Sequence, residues 1–241
     1  MHIQKPDRLL GDLCLARAYG FSGGEIWPAA RVLCEYLDHN HGHDLDNFDC
    51  IELGAGTGAV GIFAAAALGC NVTLTDHKPP VPGMSDRLLE VLRDNVKMNK
   101  SLYPTRIPRV VELDIEKDKT VEEAALSSRS GGGYDLVLVS DVTDATCLHK
   151  PLAHAIAKLL WQESPDSRCL LAHEERVLNA DGQDYQLLEF EEALAEAQLQ
   201  VVKESTHTLE DADQEEHKIC ILEIQSIDRA VDQAWRGAID P

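Results

Sequence analysis

The residues in this sequence best suited to chemistry lie at positions 49–61, DCIELGAGTGAVG, where an apolar run leads into alternating glycines. Gly54, Gly56 and Gly58 let the backbone approach a ligand closely, because glycine has no side chain in the way. Asp76 follows at roughly the 20-residue spacing at which such loops place a carboxylate on ribose hydroxyls. The spacing therefore predicts a cofactor that contains a ribose, with Asp76 as its partner.

This loop fits two registers, which differ in the charge of the ligand. Residues 56–61 match the GxGxxG fingerprint of dinucleotide-binding proteins, whereas residues 52–58 read ExGxGxG. A pyrophosphate needs a helix N-terminus without a nearby anion. Glu52, which we expect to face the same crevice, would repel a pyrophosphate and attract an ammonium, such as the amino-acid end of S-adenosylmethionine. Glu52 therefore favours S-adenosylmethionine over NAD.

The elements that must position this loop alternate along the chain. Apolar runs typical of strands alternate with amphipathic segments typical of helices, which gives five strand–helix units. Such alternation predicts an α/β fold, an open and doubly wound sheet of parallel strands with helices on both faces. A further helix, starting at Pro28, precedes the first strand. We expect strands at residues 48–53, 71–75, 107–113, 134–140, 169–172, 199–204 and 218–224, and helices at 57–68, 86–99, 121–126, 147–161 and 185–197.

The last two predicted strands have no helix between them. The segment that joins them, STHTLEDADQEEH, is too polar and too short for a crossover helix, so we interpret it as an acidic loop between antiparallel strands. The sheet should then have seven strands, with the last one antiparallel. We expect a single domain over residues 1–241, with an extension at 1–26, a core at 27–226 and a tail at 227–241.

Charge and composition limit the partners. The net charge of −20 opposes binding to a phosphate backbone, so we expect no nucleic acid partner and favour a cationic one. No apolar run is long enough to span a membrane and the N-terminus lacks a signal-peptide pattern, which predicts a cytoplasmic protein, with the nucleus as a second compartment. No heptad repeat stands out, so we expect a monomer. His39, His41 and His43 lack a second ligand cluster, and we expect no metal site.

Several motifs, in this order, resemble the seven-strand S-adenosylmethionine-dependent methyltransferases. They are IWPAA, IELGAGTGAVGI, VTLTD, NVKMNK, LVLVSDV and HEER, and the resemblance covers roughly residues 24 to 224. More narrowly, the sequence is similar to the group that methylates lysines in non-histone proteins. The resemblance implies a sheet in the order 3-2-1-4-5-7-6 with strand seven reversed. It also implies S-adenosylmethionine as the cofactor, S-adenosylhomocysteine as its product, and a protein substrate that carries the target lysine.

The resemblance also implies roles for individual residues. Glu52 should face the methionine end of the cofactor and Asp76 its ribose, while Trp27 should lie over it and Asp114 and Ile115 should pack on adenine. The family usually has tryptophan at the position of Ile115, so ring stacking is lost here. The full set of expected cofactor-binding residues is Trp27, Glu52, Gly54, Ala55, Gly56, Thr57, Gly58, Asp76, Asp114, Ile115 and Ser140.

Three acidic residues follow strands and are the expected substrate site. Asp141 opens the family's Asp-x-x-Tyr motif, in which Asp144 here replaces the tyrosine. We expect Asp141 to be the catalytic residue, and Asp144 and Glu174 to bind the incoming lysine, because open α/β sheets place their sites after strand ends. Arg176 is expected to make a structural ion pair.

Three hypotheses about the function remain open. The first is a protein-lysine methyltransferase. The second, which the departure at Asp144 supports, is a methyltransferase that acts on a small molecule or on another protein residue such as arginine. The third is a module that binds cofactor or protein without transfer, which the departures at Ile115 and Asp144 keep open and the intact glycine loop opposes.

Overall fold

The computed structural model describes Leu13, Leu15 and residues 25–40, 45–77, 87–104, 106–211 and 214–227. A helix that the sequence suggests at residues 9–18 lies outside the described residues, apart from Leu13 and Leu15. The strands are β1 Asp49–Leu53, β2 Asn71–Asp76, β3 Arg109–Glu112, β4 Leu136–Ser140, β5 Arg168–Glu174, β6 Leu199–Glu210 and β7 Glu216–Ser226. The α-helices are α1 Pro28–Asn40, α2 Ala59–Ala67, α3 Arg87–Met98, α4 Asp118–Leu126, α5 His149–Leu159 and α6 Tyr185–Glu196.

The seven strands form one sheet in the order β3-β2-β1-β4-β5-β7-β6. The first five strands are parallel to one another, and β7 runs antiparallel to both β5 and β6. The chain order reverses between β1 and β4, which are neighbours in the sheet. The predicted sheet order and the reversed last strand are confirmed. The reversal creates a crevice at the carboxyl ends of β1 and β4, where open α/β sheets bind their ligands.

The core consists of two apolar layers, one on each face of the sheet. One layer joins β-strand side chains to α1, α2 and α3, and the other joins them to α4, α5 and α6. Cys50 and Ile51, neighbours in β1, belong to different layers because successive strand residues point to opposite faces. All five residues of β1 are buried, as expected for a central parallel strand.

The expected loop between the last two strands is wrong in extent. β6 continues to Glu210 and β7 begins at Glu216, so that the two strands form a long hairpin with only residues 211–215 between them. The side chains of residues 205–210 alternate between half-buried and exposed, which is the pattern of a strand with one covered face. Polar composition concealed this alternation, because two of the three half-buried positions are occupied by polar residues, Ser205 and His207.

No helix among the described residues is long and apolar enough to cross a membrane. The division into an extension, a core and a tail remains a prediction. Both expected terminal segments, 1–26 and 227–241, lie mostly outside the described residues.

Candidate functional site

A cavity of about 510 Å³ opens at the carboxyl ends of β1, β2 and β4. It therefore lies at the crevice that the reversal of strand order creates. Every expected cofactor-binding residue except Gly58 lines it, as do Asp141 and Asp144. Glu174 does not line the cavity but contacts Arg176, which does. The sequence analysis did not select several further residues of the lining: Glu25, Ala30, Leu53, Ala59, His77, Leu88, Leu113, Glu116, Val142 and Leu148.

The glycine loop connects β1 to α2 in a left-handed backbone conformation. Gly54, Gly56 and Gly58 have φ angles of 64°, 54° and 83°, which L-residues with a side chain rarely adopt. A Cβ atom on Gly58 would lie 2.5 Å from a methyl carbon of Leu92 in α3. The three glycines are thus required for the turn itself, and they leave Ala55 and Thr57 between them on the cavity wall.

Asp76, the last residue of β2, fastens this loop to the neighbouring strand. Its Oδ2 accepts a hydrogen bond of 2.8 Å from the backbone N–H of Gly56, and its Oδ1 accepts one of 2.8 Å from the backbone N–H of His77. The His77 ring lies 3.4 Å from the same carboxylate, whose hydrogen bond raises the pKa of that histidine. Each carboxylate oxygen retains an acceptor site, so Asp76 fits the expected ribose contact at the cavity wall.

Glu52 is a buried carboxyl group at the base of the cavity. Its side chain is 2% exposed, and its Oε2 accepts a hydrogen bond of 2.9 Å from the backbone N–H of Gly61 in α2. A Cβ atom at position 61 would lie 2.7 Å from that oxygen, so Gly61 makes room for the acid. Burial raises the pKa of Glu52 to about 8, against the effect of the Gly61 hydrogen bond. The group is therefore poised to ionise when a cation arrives beside it.

The β3–α4 turn forms the wall expected to contact adenine. Oδ2 of Asp114 forms an ion pair with Nζ of Lys117 at 2.8 Å. The hydrogen bond from Lys117 lowers the pKa of Asp114. Ile115 is half-buried and packs on the core layer of α4 to α6 while also lining the cavity. The backbone N–H of Leu113 donates to the carbonyl oxygen of Asp76 at 2.9 Å, which ties this turn to β2. An adenine ring bound at this wall would therefore meet an aliphatic side chain.

Arg176 connects the acidic residues at the mouth of the cavity. Its guanidinium binds both carboxylate oxygens of Asp141, at 2.7 and 2.5 Å, and Oε2 of Glu174 at 2.6 Å. The other oxygen of Glu174 contacts the His217 ring at 2.6 Å, and His217 lies 3.4 Å from Asp211. The expected structural ion pair of Arg176 is present. It places Asp141 in a compensated cluster rather than presenting it as a free carboxylate for lysine.

Asp144 and Trp27 are two exposed residues of the cavity lining, as are the acids Glu25 and Glu116. Asp144 is exposed, and its carboxylate makes no ion pair with the described part of the chain. Its backbone oxygen accepts a hydrogen bond of 2.5 Å from the side chain of Gln186 in α6. Trp27 is 41% exposed, and the guanidinium carbon of Arg176 lies 5.8 Å from its ring centroid. An incoming cation would meet Asp144 and an aromatic face first.

A buried polar chain supports the loop that carries Asp141 and Asp144. The Thr143 hydroxyl lies 2.7 Å from Nδ1 of His173, and Nε2 of His149 lies 2.9 Å from the Thr143 carbonyl oxygen. Nε2 of His173 lies 3.3 Å from Asp184. His173 is fully buried and does not line the cavity, so we assign it a structural role. Thr143 and His149 were missed from the sequence, since nothing local marks a contact to a residue 30 positions away.

One group of possible metal ligands occurs within the described residues, namely Asp211, Glu215 and His217 at the β6–β7 turn. Its carboxylates are exposed, and its histidine is already bonded to Glu174. The group therefore belongs to the ion-pair network of Arg176. His41 and His43 lie outside the described residues.

The cavity suits S-adenosylmethionine in the chemistry of its donors. Buried Glu52 can meet an ammonium, Asp76 a ribose, and Leu113 and Ile115 an apolar ring. The Ser140 hydroxyl is buried at the same wall and makes no hydrogen bond within the described residues, so it can donate to a ligand there. Glu52 instead places a carboxyl group against the first turn of α2, where a pyrophosphate would need the N–H groups without a nearby anion.

Comparison with known proteins supports this assignment. The chain is 39% identical over 117 residues to the protein N-lysine methyltransferase METTL21A of Danio rerio, covering 48% of this chain and 46% of that protein. It is 35% identical over 126 residues to the protein-lysine methyltransferase METTL21E of Bos taurus, covering 51% and 38%. The aligned segment thus spans about half of each relative or less.

The fold is also found among solved structures. A proposed RNA methyltransferase from Pyrococcus horikoshii superposes with a TM-score of 0.59 at 15% identity, over 90% of this chain and 95% of that one. At this identity the likeness concerns the fold alone. A family profile described as lysine methyltransferase matches residues 17–190, well over half of the sequence. The match confirms the predicted cofactor, S-adenosylmethionine, and the chain belongs to the lysine methyltransferase family.

Proposed function

We propose that this protein transfers a methyl group from S-adenosylmethionine to the side-chain amine of a lysine in a non-histone protein. The observation that carries the proposal is the cavity at the ends of β1 and β4. It joins a buried acid, Glu52, to a mouth with an exposed acid, Asp144, and an aromatic face, Trp27. The named relatives, which are protein-lysine methyltransferases, support the choice of acceptor.

The bound cofactor would supply an activated methyl group on a sulfonium, so the protein contributes positioning and exclusion of water. Glu52 and Asp76 would hold the two polar ends of the cofactor from opposite sides of the glycine loop. Asp144 would attract the lysine ammonium, and Trp27 would cover its path. The Asp141–Arg176–Glu174 cluster would fix the shape of the mouth while adding little net charge.

The target lysine must lose its proton before transfer, because its ordinary pKa is about 10.4 and only the neutral amine is a nucleophile. A carboxylate beside the amine favours docking and opposes deprotonation. Asp141 and Glu174 are held by Arg176, and buried His173 is bonded to Thr143. We therefore assign no side chain as a strong general base. The proton would leave to water as the positive sulfonium approaches.

The proposal is tested with tritiated S-adenosylmethionine, a cell extract, and the purified protein beside two variants. Asp76→Ala removes the acceptor of the Gly56 N–H, and Leu126→Ser changes an exposed residue far from the cavity. We expect labelled protein bands with the wild type and with Leu126→Ser, and none with Asp76→Ala. Label that enters only small molecules would contradict the proposal, and equal bands with Asp76→Ala would contradict the site.

A methyltransferase with a different acceptor, such as arginine or a small molecule, is the second candidate. The observation that favours it is Asp144, an acid where the resembling lysine methyltransferases carry tyrosine. An acid at this position binds a guanidinium as readily as an ammonium. The two candidate functions are distinguished by the molecule that carries the label: methyllysine for the first, and methylarginine or a methylated small molecule for the second.

A further inference from the structure

Beside the mouth of the cavity, four large apolar side chains are exposed to solvent. Val177 and Leu178 follow β5 and are 48% and 56% exposed, and Tyr185 and Leu188 in the first turn of α6 are 46% and 38% exposed. Isolated exposed apolar residues are ordinary, but grouped ones beside an active site mark a binding surface. We call these four residues the α6 surface.

Hydrogen bonds hold the backbone of the α6 surface in place. The backbone N–H of Tyr185 donates to the carbonyl oxygen of Val177 at 2.9 Å, and Leu178 and Asp184 form an antiparallel bridge. Asp184 caps α6 by accepting a 2.9 Å hydrogen bond from the backbone N–H of Leu187. The backbone that carries the exposed side chains is therefore ordered before binding, which lowers the entropic cost of binding.

The surface is continuous with the mouth of the cavity at two points. Val177 directly follows Arg176, whose guanidinium lines the cavity. Gln186, within α6 beside Tyr185, donates its 2.5 Å hydrogen bond to the backbone oxygen of Asp144. A polypeptide whose lysine enters past Asp144 would therefore lay its flanking residues on the α6 surface.

Acidic groups surround the same surface. The Tyr185 hydroxyl donates to the carboxylate of Glu189, Glu192 lies near enough to influence Tyr185, and Asp144 is exposed at the mouth. The whole chain carries a net charge of −20. An apolar surface with an acidic rim is complementary to a segment that combines apolar and basic residues.

We propose that Val177, Leu178, Tyr185 and Leu188 dock the substrate protein through a segment next to the target lysine that carries apolar and basic side chains. This inference rests on the proposed lysine methylation and adds the class of sequence that the enzyme selects. It assigns substrate selection to α6 and the turn before it, outside the cofactor cavity.

The test uses fluorescein-labelled peptides with a central lysine and protein saturated with S-adenosylhomocysteine. One peptide flanks the lysine with leucine and arginine, and its control has serine and glutamate instead. Binding is followed by fluorescence anisotropy for the wild type, for the double variant Leu178→Ser/Tyr185→Ser, and for Leu188→Lys as an independent variant. Leu126→Ser is the matched control, because Leu126 is 70% exposed at the end of α4 and does not line the cavity.

We expect the wild type and Leu126→Ser to prefer the leucine–arginine peptide, and both α6 variants to lose about tenfold or more of that affinity. Equal binding of the two peptides to the wild type, or an unchanged preference in both variants, would overturn the proposal. Dimerisation of the wild type in sedimentation, abolished in the α6 variants, would also overturn it, because a second copy would then cover the surface. Peptide preference without any methyl transfer would support the docking surface and count against the proposed function alone.

Discussion

Cofactor binding should release a proton from Glu52, and Glu52→Gln should abolish that release. In the free protein, burial raises the pKa of this carboxyl group to about 8, so it is mostly protonated at neutral pH. An ammonium bound beside it would stabilise the ionised form and lower its pKa. Glutamine has the same shape and still accepts the N–H of Gly61, which should preserve the loop.

The magnitude follows from the ionised fraction of Glu52 in the free protein. With a pKa of about 8, this fraction rises from about 1% at pH 6 to about 9% at pH 7, so the affinity should rise roughly ninefold. The amino group of the ligand stays protonated in this window, because the carboxylate of a free amino acid raises the pKa of its amino group above that of a chain terminus. Binding at pH 7 should release roughly 0.9 proton, because about nine in ten Glu52 carboxyl groups are protonated before binding.

The assay is titration calorimetry with S-adenosylhomocysteine in two buffers of different ionisation enthalpy. The difference in heat between the buffers gives the number of protons released, and the Glu52→Gln variant subtracts any contribution from His77. The wild type should release the proton and bind the ligand roughly ninefold more tightly at pH 7 than at pH 6. The Glu52→Gln variant should show neither the proton release nor the change in affinity that arise from Glu52. If wild type and variant release the same number of protons, Glu52 does not meet the ammonium and our assignment of the cofactor's orientation is wrong.

Three further substitutions test the loop and the mouth. Asp76→Ala leaves a buried N–H without its acceptor, so calorimetry should show S-adenosylhomocysteine bound about tenfold or more weakly; unchanged affinity would refute its role. Gly58→Ala forces a side chain into a left-handed turn 2.5 Å from Leu92, and urea unfolding should show a loss of about 1–3 kcal/mol. Arg176→Gln leaves Asp141 uncompensated, which should lower methyl transfer far more than S-adenosylhomocysteine affinity; Arg176→Lys should restore little, since it lacks the bidentate fork. Equal losses of transfer and affinity would instead make Arg176 part of the cofactor site.

Local sequence patterns were sufficient to predict the short strands and the glycine loop. β1 is a short run with three apolar residues and β2 is rich in β-branched residues, so the positions of both strands follow from local composition. The glycines after β1 indicate a backbone conformation that only glycine adopts easily. Parallel strands place their carboxyl ends at one edge. For that reason Glu52, Asp76 and Ser140 could be expected around one cavity without knowledge of the packing.

Contacts between distant segments could not be predicted in the same way. Arg176 follows β5, and nothing in its neighbourhood shows that it binds Asp141, 35 positions earlier in the chain. Asp141 was expected to be the catalytic residue, which stays a prediction, but the sequence did not show that a guanidinium binds both oxygens of its carboxylate. The length of the β6–β7 hairpin was missed because half-covered strands tolerate polar side chains.

The measurement that most directly tests the central claim is the chemical identity of the methylated residue. Protein labelled by the wild type with tritiated S-adenosylmethionine is hydrolysed to amino acids, which are separated beside standards of methylated lysine and arginine. The account predicts that the label elutes with methyllysine and is absent from the Asp76→Ala reaction. Label in methylarginine, or in a volatile product released by base as from a methyl ester, would contradict it.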